Sequence, residues 1–328
     1  MREHLAEGSD RLKRLLALPG ASARTKARAR ALFAAGVLAG EQGDYDAAVG
    51  FLEESLAIER ERNDGWGIAV TRNALAVILL DRGDVGSAAA HFEENASLWR
   101  ELGDRAAVAR SLSNLARAAT AQGDFERAHR LHDESIAIFR ELGDRTGAAW
   151  ALDHQADVAR ERGDPDAATQ LCERSLAEFR EIGDPWGIAG TLADLGNLAR
   201  IRSDFPRARS LYGQSLEIFR GLAHKRGIAR LLEGFACCAA SEGEPYAALR
   251  LAGAAGALRE ALGTPLPRAE RVALEAALSS ARRGLNDAES AEAWMQGWGM
   301  PLEEVVGLAI AASPDSSDSI KLPRPAGR

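Results

Sequence analysis

The sequence has little of what usually marks a disulfide-rich, membrane or nucleic-acid-binding protein. Its 328 residues include only three cysteines, Cys172, Cys237 and Cys238, which are too few for a disulfide framework. It has no recognisable signal peptide and no apolar run long enough to cross a bilayer. The formal net charge of −7 offers no basic surface to a nucleic-acid backbone. We therefore expect a cytoplasmic protein with no direct contact to membrane or nucleic acid.

Motifs for catalysis are missing as well. No glycine-rich loop ends in Gly-Lys-Ser or Gly-Lys-Thr, so the phosphate-binding loop of nucleotide hydrolases is absent from the sequence. No local pattern suggests a Ser-His-Asp or Cys-His nucleophile. We expect no enzymatic activity and no cofactor.

What the sequence does contain is a Gly-Asp pair that returns on a twenty-residue grid. The complete copies are Gly43-Asp44, Gly83-Asp84, Gly103-Asp104, Gly123-Asp124, Gly143-Asp144, Gly163-Asp164 and Gly183-Asp184. The degraded copies are Asn63-Asp64, Ser203-Asp204, Ala223-His224 and Gly243-Glu244. Glycine adopts the left-handed conformation that ends a helix, and aspartate caps the N terminus of the next helix. The grid predicts helices of equal length joined by tight turns.

Taken two at a time, these helices form six predicted pairs within residues 21–262. The first helices of the pairs are 24–42, 66–82, 106–122, 146–162, 186–202 and 226–242. The second helices are 45–62, 85–102, 125–142, 165–182, 205–222 and 245–262. Residues 1–20 are predicted to form an orphan helix, either a cap or a half repeat that could pair two chains. Residues 263–311 are predicted to form a helical cap sealed by Trp294 and Trp298, and residues 312–328 a disordered tail.

Small side chains recur at fixed positions of each pair. In the first helices they are Gly36, Ala76, Ala116, Ala156, Gly196 and Ala236, and in the second helices Ala48, Ala88, Ala128, Ala168, Ala208 and Ala248. Together with turns such as Gly43-Asp44-Tyr45 and Gly123-Asp124-Phe125, this pattern resembles the tetratricopeptide repeat, with a second helix longer by about six residues than usual. HEAT and armadillo repeats share the period but explain neither the turn nor the alanine row. The resemblance implies an all-α, right-handed superhelical solenoid of about six helix pairs with a C-terminal helical cap.

The end of the chain resembles a more particular group. The segments are Leu251-Ala252-Gly253-Ala254-Ala255, Pro265-Leu266-Pro267, Ala293-Trp294 and Met300-Pro301-Leu302-Glu303-Glu304. They are similar to the C-terminal helical region of large bacterial transcriptional regulators with an NB-ARC-type (STAND-type) ATPase core and often a LuxR-like DNA-binding domain. In that family the repeat array is thought to sense a ligand or partner. Neither the ATPase nor the DNA-binding domain is present in this sequence, so the chain could also be a truncated fragment of such a regulator.

The resemblance to tetratricopeptide arrays implies a concave groove lined by the first helices. Polar residues at groove positions are Arg110, Asn114 and Arg117, then Asp153, His154, Asp157 and Arg160, then Asp194, Asn197 and Arg200. Equal positions on successive first helices are about 10 Å apart, so long side chains can meet. We expect these residues to hold a protein segment or peptide, or a charged small molecule. The alternative is that Arg117 pairs with Asp157, and Asp153 or Asp194 with a neighbouring arginine, in solvated ion pairs that contribute little.

His129, His132 and Cys172 raise the question of a metal site. Zinc requires four nitrogen or sulfur ligands in tight geometry, and no fourth ligand is evident. His132 and Cys172 share the helical position of Leu52 and Phe92. We therefore expect core packing and no metal.

The function predicted from the sequence is a non-catalytic protein- or peptide-binding scaffold or sensor, linked to bacterial signalling or transcriptional regulation. The alternative is the small-molecule-sensing arm of a STAND-type ATPase regulator, or a fragment of one.

Overall fold

The computed structural model describes residues 8, 11–12, 14–18, 22–264, 266 and 268–311. Within these ranges every regular element is an α-helix, which confirms the expected all-α class. The helices are α1 Lys26–Glu41, α2 Tyr45–Glu61, α3 Gly65–Arg82, α4 Val85–Leu102, α5 Arg105–Ala121, α6 Phe125–Glu141, α7 Arg145–Glu161, α8 Pro165–Ile182, α9 Pro185–Ile201, α10 Phe205–Gly221, α11 Lys225–Ser241, α12 Pro245–Leu262, α13 Arg268–Arg283, α14 Asp287–Trp298 and α15 Leu302–Ala311. The predicted tail 312–328 and most of the predicted orphan helix lie outside the described residues.

The turns are built from the grid residues. The grid glycines have positive φ angles, and so do the residues that replace glycine in the degraded copies, Asn63 at 52°, Ser203 at 61° and Ala223 at 52°. The grid aspartates accept a hydrogen bond from a backbone N–H two or three residues further on; they are Asp44, Asp64, Asp84, Asp104, Asp124, Asp144, Asp164, Asp184 and Asp204. The left-handed turn is therefore kept at every copy, even where glycine is missing.

The chain divides into two compact units, residues 1–168 and residues 169–328. In the first unit the helices pack in consecutive pairs, α1 on α2, α3 on α4 and α5 on α6, and each first helix also contacts the next one, α1 to α3 to α5 to α7. The alanines of the second-helix row, Ala48, Ala88 and Ala128, are fully buried between helices. The direct contacts between successive first helices place α3, α5 and α7 next to one another.

Buried hydroxyls lock the two helices of a pair together. Ser55 Oγ donates to the carbonyl oxygen of Ala29 at 2.8 Å, and Ser135 Oγ donates to that of Ala109 at 2.8 Å. The same bond recurs in the second unit, from Ser215 Oγ to the carbonyl oxygen of Ala189 at 2.7 Å. A buried hydroxyl must be paired to avoid a desolvation penalty, and this partner fixes the register within each pair.

At the N-terminal end of the first unit, Leu16 packs on the buried cluster of Ala29, Leu32 and Ile58. Leu15 and Leu18 are exposed, at 56% and 55%. This described part of the predicted orphan helix therefore folds back onto α1 and α2, as a cap would.

In the second unit, α9 packs on α10 and α11 on α12, and α13 packs against α11 and α12. The next helix, α14, lies along α12 instead of pairing with α13. Gly253 of α12 and Gly297 of α14 make this contact possible, because a side chain at either position would collide with the opposite backbone. The rings of Trp294 and Trp298 pack over Gly256 of α12. The expected end cap thus covers the last complete pair.

Candidate functional site

The predicted groove residues of the first unit lie on α5 and α7. Arg110, Asn114 and Arg117 are spaced by four and three residues, which puts them on one face of α5. On the same surface of the array lie residues of α7, where His154 and Asp157 are half-buried and Arg160 is exposed, while Asp153 is buried. Because α5 packs directly against α7, these side chains are brought to one surface.

Side-chain hydrogen bonds connect neighbouring first helices across this surface. Asn114 Nδ2 donates to Asn73 Oδ1 of α3 at 3.2 Å. One repeat later, Ser113 Oγ and His154 Nδ1 of α7 are 3.3 Å apart. Both bonds join residues that are 41 positions apart, one more than the period. They form a regular polar ladder that sequence reasoning located only in part, because Asn73 and Ser113 were not among the predicted residues.

The ionic contacts differ from the predicted solvated pairing. Asp157 does not pair with Arg117; its Oδ1 accepts a hydrogen bond from Arg160 Nη2, one turn away on α7, at 2.9 Å. Arg110 and Arg117 form no ion pair or hydrogen bond with any residue in the described part of the chain. The ion pair between Asp157 and Arg160 forms because the two residues lie one turn apart on α7, whereas Arg117 lies on a different helix. The surface on α5 therefore carries two guanidinium groups without a carboxylate partner there.

A buried histidine underlies this surface. His132 of α6 is 0% exposed, and neither of its ring nitrogens has a hydrogen-bond partner among the described residues. Its ring centroid is 6.2 Å from that of His154, which in turn lies 6.3 Å from that of Trp150. Burial, and then the positive charge of neighbouring groups such as Arg117, lowers the pKa of His132 to about 3. His132 is therefore neutral at physiological pH.

Trp150 lies on the same helix as the predicted groove residues of α7, and the sequence analysis did not include it. It lies half-buried on α7, forty residues after Arg110 and therefore at the equivalent helical position. The forty-residue period could have located Trp150, because it stands at the position of Arg110 one repeat later. A tryptophan is more often expected in a hydrophobic core than on a polar surface. The ring centroid of Trp150 lies 6.3 Å from that of His154, and the two rings form an aromatic wall on α7.

The residues considered for a metal site behave as core and surface residues. Cys172 is buried, and His129 is exposed, with its Nδ1 2.7 Å from Gln155 Nε2. In the ranges that the structure describes, no group of three or more His, Cys, Asp or Glu side chains is arranged to hold a metal ion. Cys237 and Cys238 are buried thiols on α11, and burial raises the pKa of Cys238 to about 12. These thiols are poor nucleophiles.

In the second unit the predicted groove residues are engaged internally. Asp194 Oδ1 accepts a hydrogen bond from Arg230 Nη2 at 2.5 Å, a pairing of the kind expected for a solvated bridge. Asn197 Oδ1 accepts one from the Tyr212 hydroxyl at 2.7 Å, and Arg200 lies against the same ring. Burial raises the pKa of that hydroxyl.

A buried ion pair extends this network. Glu233 of α11 is 8% exposed and receives two hydrogen bonds of 2.8 Å from the guanidinium of Arg259 on α12. Burial raises the pKa of the Glu233 carboxyl, and the bonds to Arg259 oppose that shift. In this unit Asp194 and Glu233 are thus each neutralised by an arginine of the chain itself, whereas the Nε of Arg200 is buried without a hydrogen-bond partner among the described residues.

Comparison with known proteins identifies the class. One family model of the tetratricopeptide repeat matches residues 67–141 and 147–221. A second model of the same repeat matches residues 31–65. Together they cover more than half of the chain, which therefore belongs to the tetratricopeptide repeat family. No curated protein matches the sequence.

Three solved structures share the fold over most of the chain. NprR in complex with its cognate peptide NprX is 17% identical, with a TM-score of 0.61, and the match covers 94% of this chain and 82% of that one. The Rap conjugation gene regulator of plasmid pLS20 in complex with the Phr* peptide is 11% identical, with a TM-score of 0.54 and coverages of 82% and 80%. The STAND protein PH0952 from Pyrococcus horikoshii, which has a tetratricopeptide repeat sensor, is 13% identical, with a TM-score of 0.56 and coverages of 94% and 49%.

The described residues also bear on membrane insertion. None of the helices within them combines the length and the apolar character needed to cross a membrane.

Proposed function

We propose that this chain is a non-catalytic binding protein that holds a protein segment or peptide against the first helices of its repeats, as a scaffold or sensor in bacterial signalling or transcriptional regulation. The observation that carries the proposal is the polar ladder of the first unit. The bond from Asn114 to Asn73 uses one donor and one acceptor, so the Oδ1 of Asn114 and the Nδ2 of Asn73 remain for other partners. A carbonyl and an amide group on adjacent helices complement the backbone of an extended peptide.

The relatives in fold support this proposal. NprR and the Rap regulator were each solved with a bound peptide, and both cover more than four-fifths of this chain. We extend peptide binding to this chain because its own surface offers hydrogen-bonding groups, unpaired cations and an aromatic wall together. Such combinations of arginine and tryptophan dominate many binding interfaces. We also propose a cytoplasmic location, since its three cysteines are buried thiols.

A selection experiment tests the proposal. A phage library of random twelve-residue peptides is selected on the immobilised protein, and the dissociation constant of an enriched peptide is measured by calorimetry. We expect Arg117→Glu and Asn114→Ala to weaken binding tenfold or more. Arg130→Glu, an exposed arginine on α6, is the matched control and should leave the affinity unchanged. If no peptide is enriched, or if both groove variants bind as the wild type does, the groove is not a peptide site.

The second candidate function is a small-molecule sensing arm of a STAND-type ATPase regulator. Two observations favour it, the similarity of residues 251–304 to the helical region of such regulators and the fold shared with the PH0952 sensor. It predicts a rise in melting temperature with a metabolite from a screening panel and no enrichment of peptides. An in-frame ATPase coding sequence upstream of Met1 would favour a fragment of a longer regulator.

A further inference from the structure

The polar surfaces of the two units differ in how their charges are balanced. In the second unit, Asp194 is paired with Arg230 and Glu233 with Arg259. In the first unit, Arg110 and Arg117 have no carboxylate partner among the described residues, and the nearby acid Asp157 is already paired with Arg160. The surface formed by Asn73, Arg110, Asn114, Arg117, Trp150 and His154 is called the α5 groove surface below.

An arginine that is half-buried without a counterion is unfavourable for the free protein. Arg117 is half-buried and lies close enough to His132 to disfavour a charge on that ring. The buried His132 cannot supply compensation, because it is neutral and both of its nitrogens lack partners in the described structure. A second buried group without a partner thus lies beneath the same surface. A bound group that carries negative charge and hydrogen-bond acceptors removes the deficit of Arg117, whereas His132 is 0% exposed and is not reached by it.

The chemistry of the missing partner follows from the donors. Guanidinium groups match carboxylates in a bidentate arrangement, and two of them here are separated by seven residues of one helix, which is about 10 Å along its axis. An extended peptide spans that distance in about three residues. The neighbouring amides of Asn73 and Asn114 suit the main chain that joins the two acidic side chains.

We propose that the α5 groove surface recognises an acidic peptide segment, in which two carboxylates about three residues apart bind Arg110 and Arg117. This inference rests on the proposed function and specifies the chemistry of its ligand. The segment is bound by the first unit, where both arginines lie on one face of α5. Trp150 and His154, whose ring planes are tilted by 39° to each other, provide the aromatic surface against which an apolar residue of the segment packs.

Three pools of fluorescently labelled ten-residue peptides test this inference by anisotropy. All pools are degenerate in Ala, Ser, Leu, Phe, Asn and Tyr, and differ only at two fixed positions three residues apart, which hold Glu, Gln or Lys. We expect the Glu pool to bind at least tenfold more tightly than the Gln pool, and the Lys pool to bind most weakly. The double variant Arg110→Gln/Arg117→Gln should remove the preference for Glu, whereas the control Arg130→Gln should keep it.

The outcomes separate the two proposals. If the Gln pool binds as tightly as the Glu pool, peptide binding stands and recognition of acidic groups is wrong. If no pool binds at any concentration tested, the proposed function itself fails. Charge reversal by Arg117→Glu gives a second readout, since the preference should then move from the Glu pool toward the Lys pool. Circular dichroism of each variant checks that a loss of binding is not a loss of folding.

Discussion

The hydroxyl of Tyr212 donates a hydrogen bond to Oδ1 of Asn197 at 2.7 Å, and it can do so only because two glycines flank the ring. A Cβ at Gly196 would lie 2.5 Å from Tyr212 Cδ1, and one at Gly234 would lie 2.8 Å from Tyr212 Cζ. The translationally equivalent pairs in the first unit, Ala116 with His132 and Ala76 with Phe92, accept the methyl group.

Gly196→Ala is therefore expected to destabilise the protein. The added methyl must displace a fully buried ring, which typically costs about 1–3 kcal/mol. Gly190→Ala on the same helix is the matched control, because no heavy atom lies within 4 Å of a Cβ there. That variant should gain up to about 1 kcal/mol from helix propensity. Urea denaturation of both variants measures the difference, and equal stabilities would show that Tyr212 is not confined as described.

Ala223→Gly is expected to stabilise the protein. Ala223 lies in the turn after α10 with a φ of 52°, a left-handed conformation that non-glycine residues adopt at a cost of about 1–2 kcal/mol. Glycine removes this strain but has a larger unfolded-state entropy, so the net gain should be about 0.5–1 kcal/mol. The reciprocal change, Gly143→Ala, meets no side chain and tests the backbone alone. It should destabilise by about 1 kcal/mol. A Gly variant less stable than the wild type would contradict the prediction.

His132→Phe is expected to stabilise the protein and to reduce the loss of stability at acidic pH. Phe92 occupies the equivalent position and is fully buried, so the larger ring fits the row. Removing two unpartnered ring nitrogens should gain about 1–3 kcal/mol. Phe92→His is the reciprocal control and should lose a similar amount.

The pH dependence follows from the lowered pKa of His132. In the unfolded chain a histidine binds its proton near pH 6.5, whereas in the folded protein the pKa is about 3. Between these values the unfolded state binds one proton more, so the stability contributed above pH 6.5 is lost as the pH falls, by about 1.4 kcal/mol per unit. The groups facing the ring, His154, Arg117 and His129, all act in the same direction. Thermal melts from pH 7.5 to pH 4.5 should show a smaller decline for His132→Phe than for the wild type.

Much of the fold followed from the period. Gly at one grid position and Asp at the next predicted the helix ends, and the left-handed turn persists at Asn63, Ser203 and Ala223, because the chain on both sides dictates the reversal. The buried alanine row could be read in the same way, since helix axes can approach closely only at small residues. The forty-residue period and the sizes of the side chains therefore suffice to predict the arrangement of helices.

The side-chain contacts of the candidate site could not be predicted from the period and the residue sizes. The ladder joins residues 41 positions apart rather than 40, because Asn73 and Ser113 reach sideways to the next helix. Asp157 turns to Arg160 on its own helix, a choice that depends on rotamers and not on spacing. The Tyr212 network required knowledge of which glycines face the ring. Which groove residues bind a ligand remains a prediction.

The most direct test of peptide binding at the α5 groove surface is photo-crosslinking. A peptide enriched by selection is synthesised with benzophenone in place of one residue, irradiated in complex with the protein, and the attachment sites are read by tandem mass spectrometry. The account predicts cross-links on α3, α5 and α7, centred on Arg117 and Trp150, which a competing unlabelled peptide abolishes. Cross-links confined to the second helices α2, α4 and α6, or to α13–α15, would contradict it.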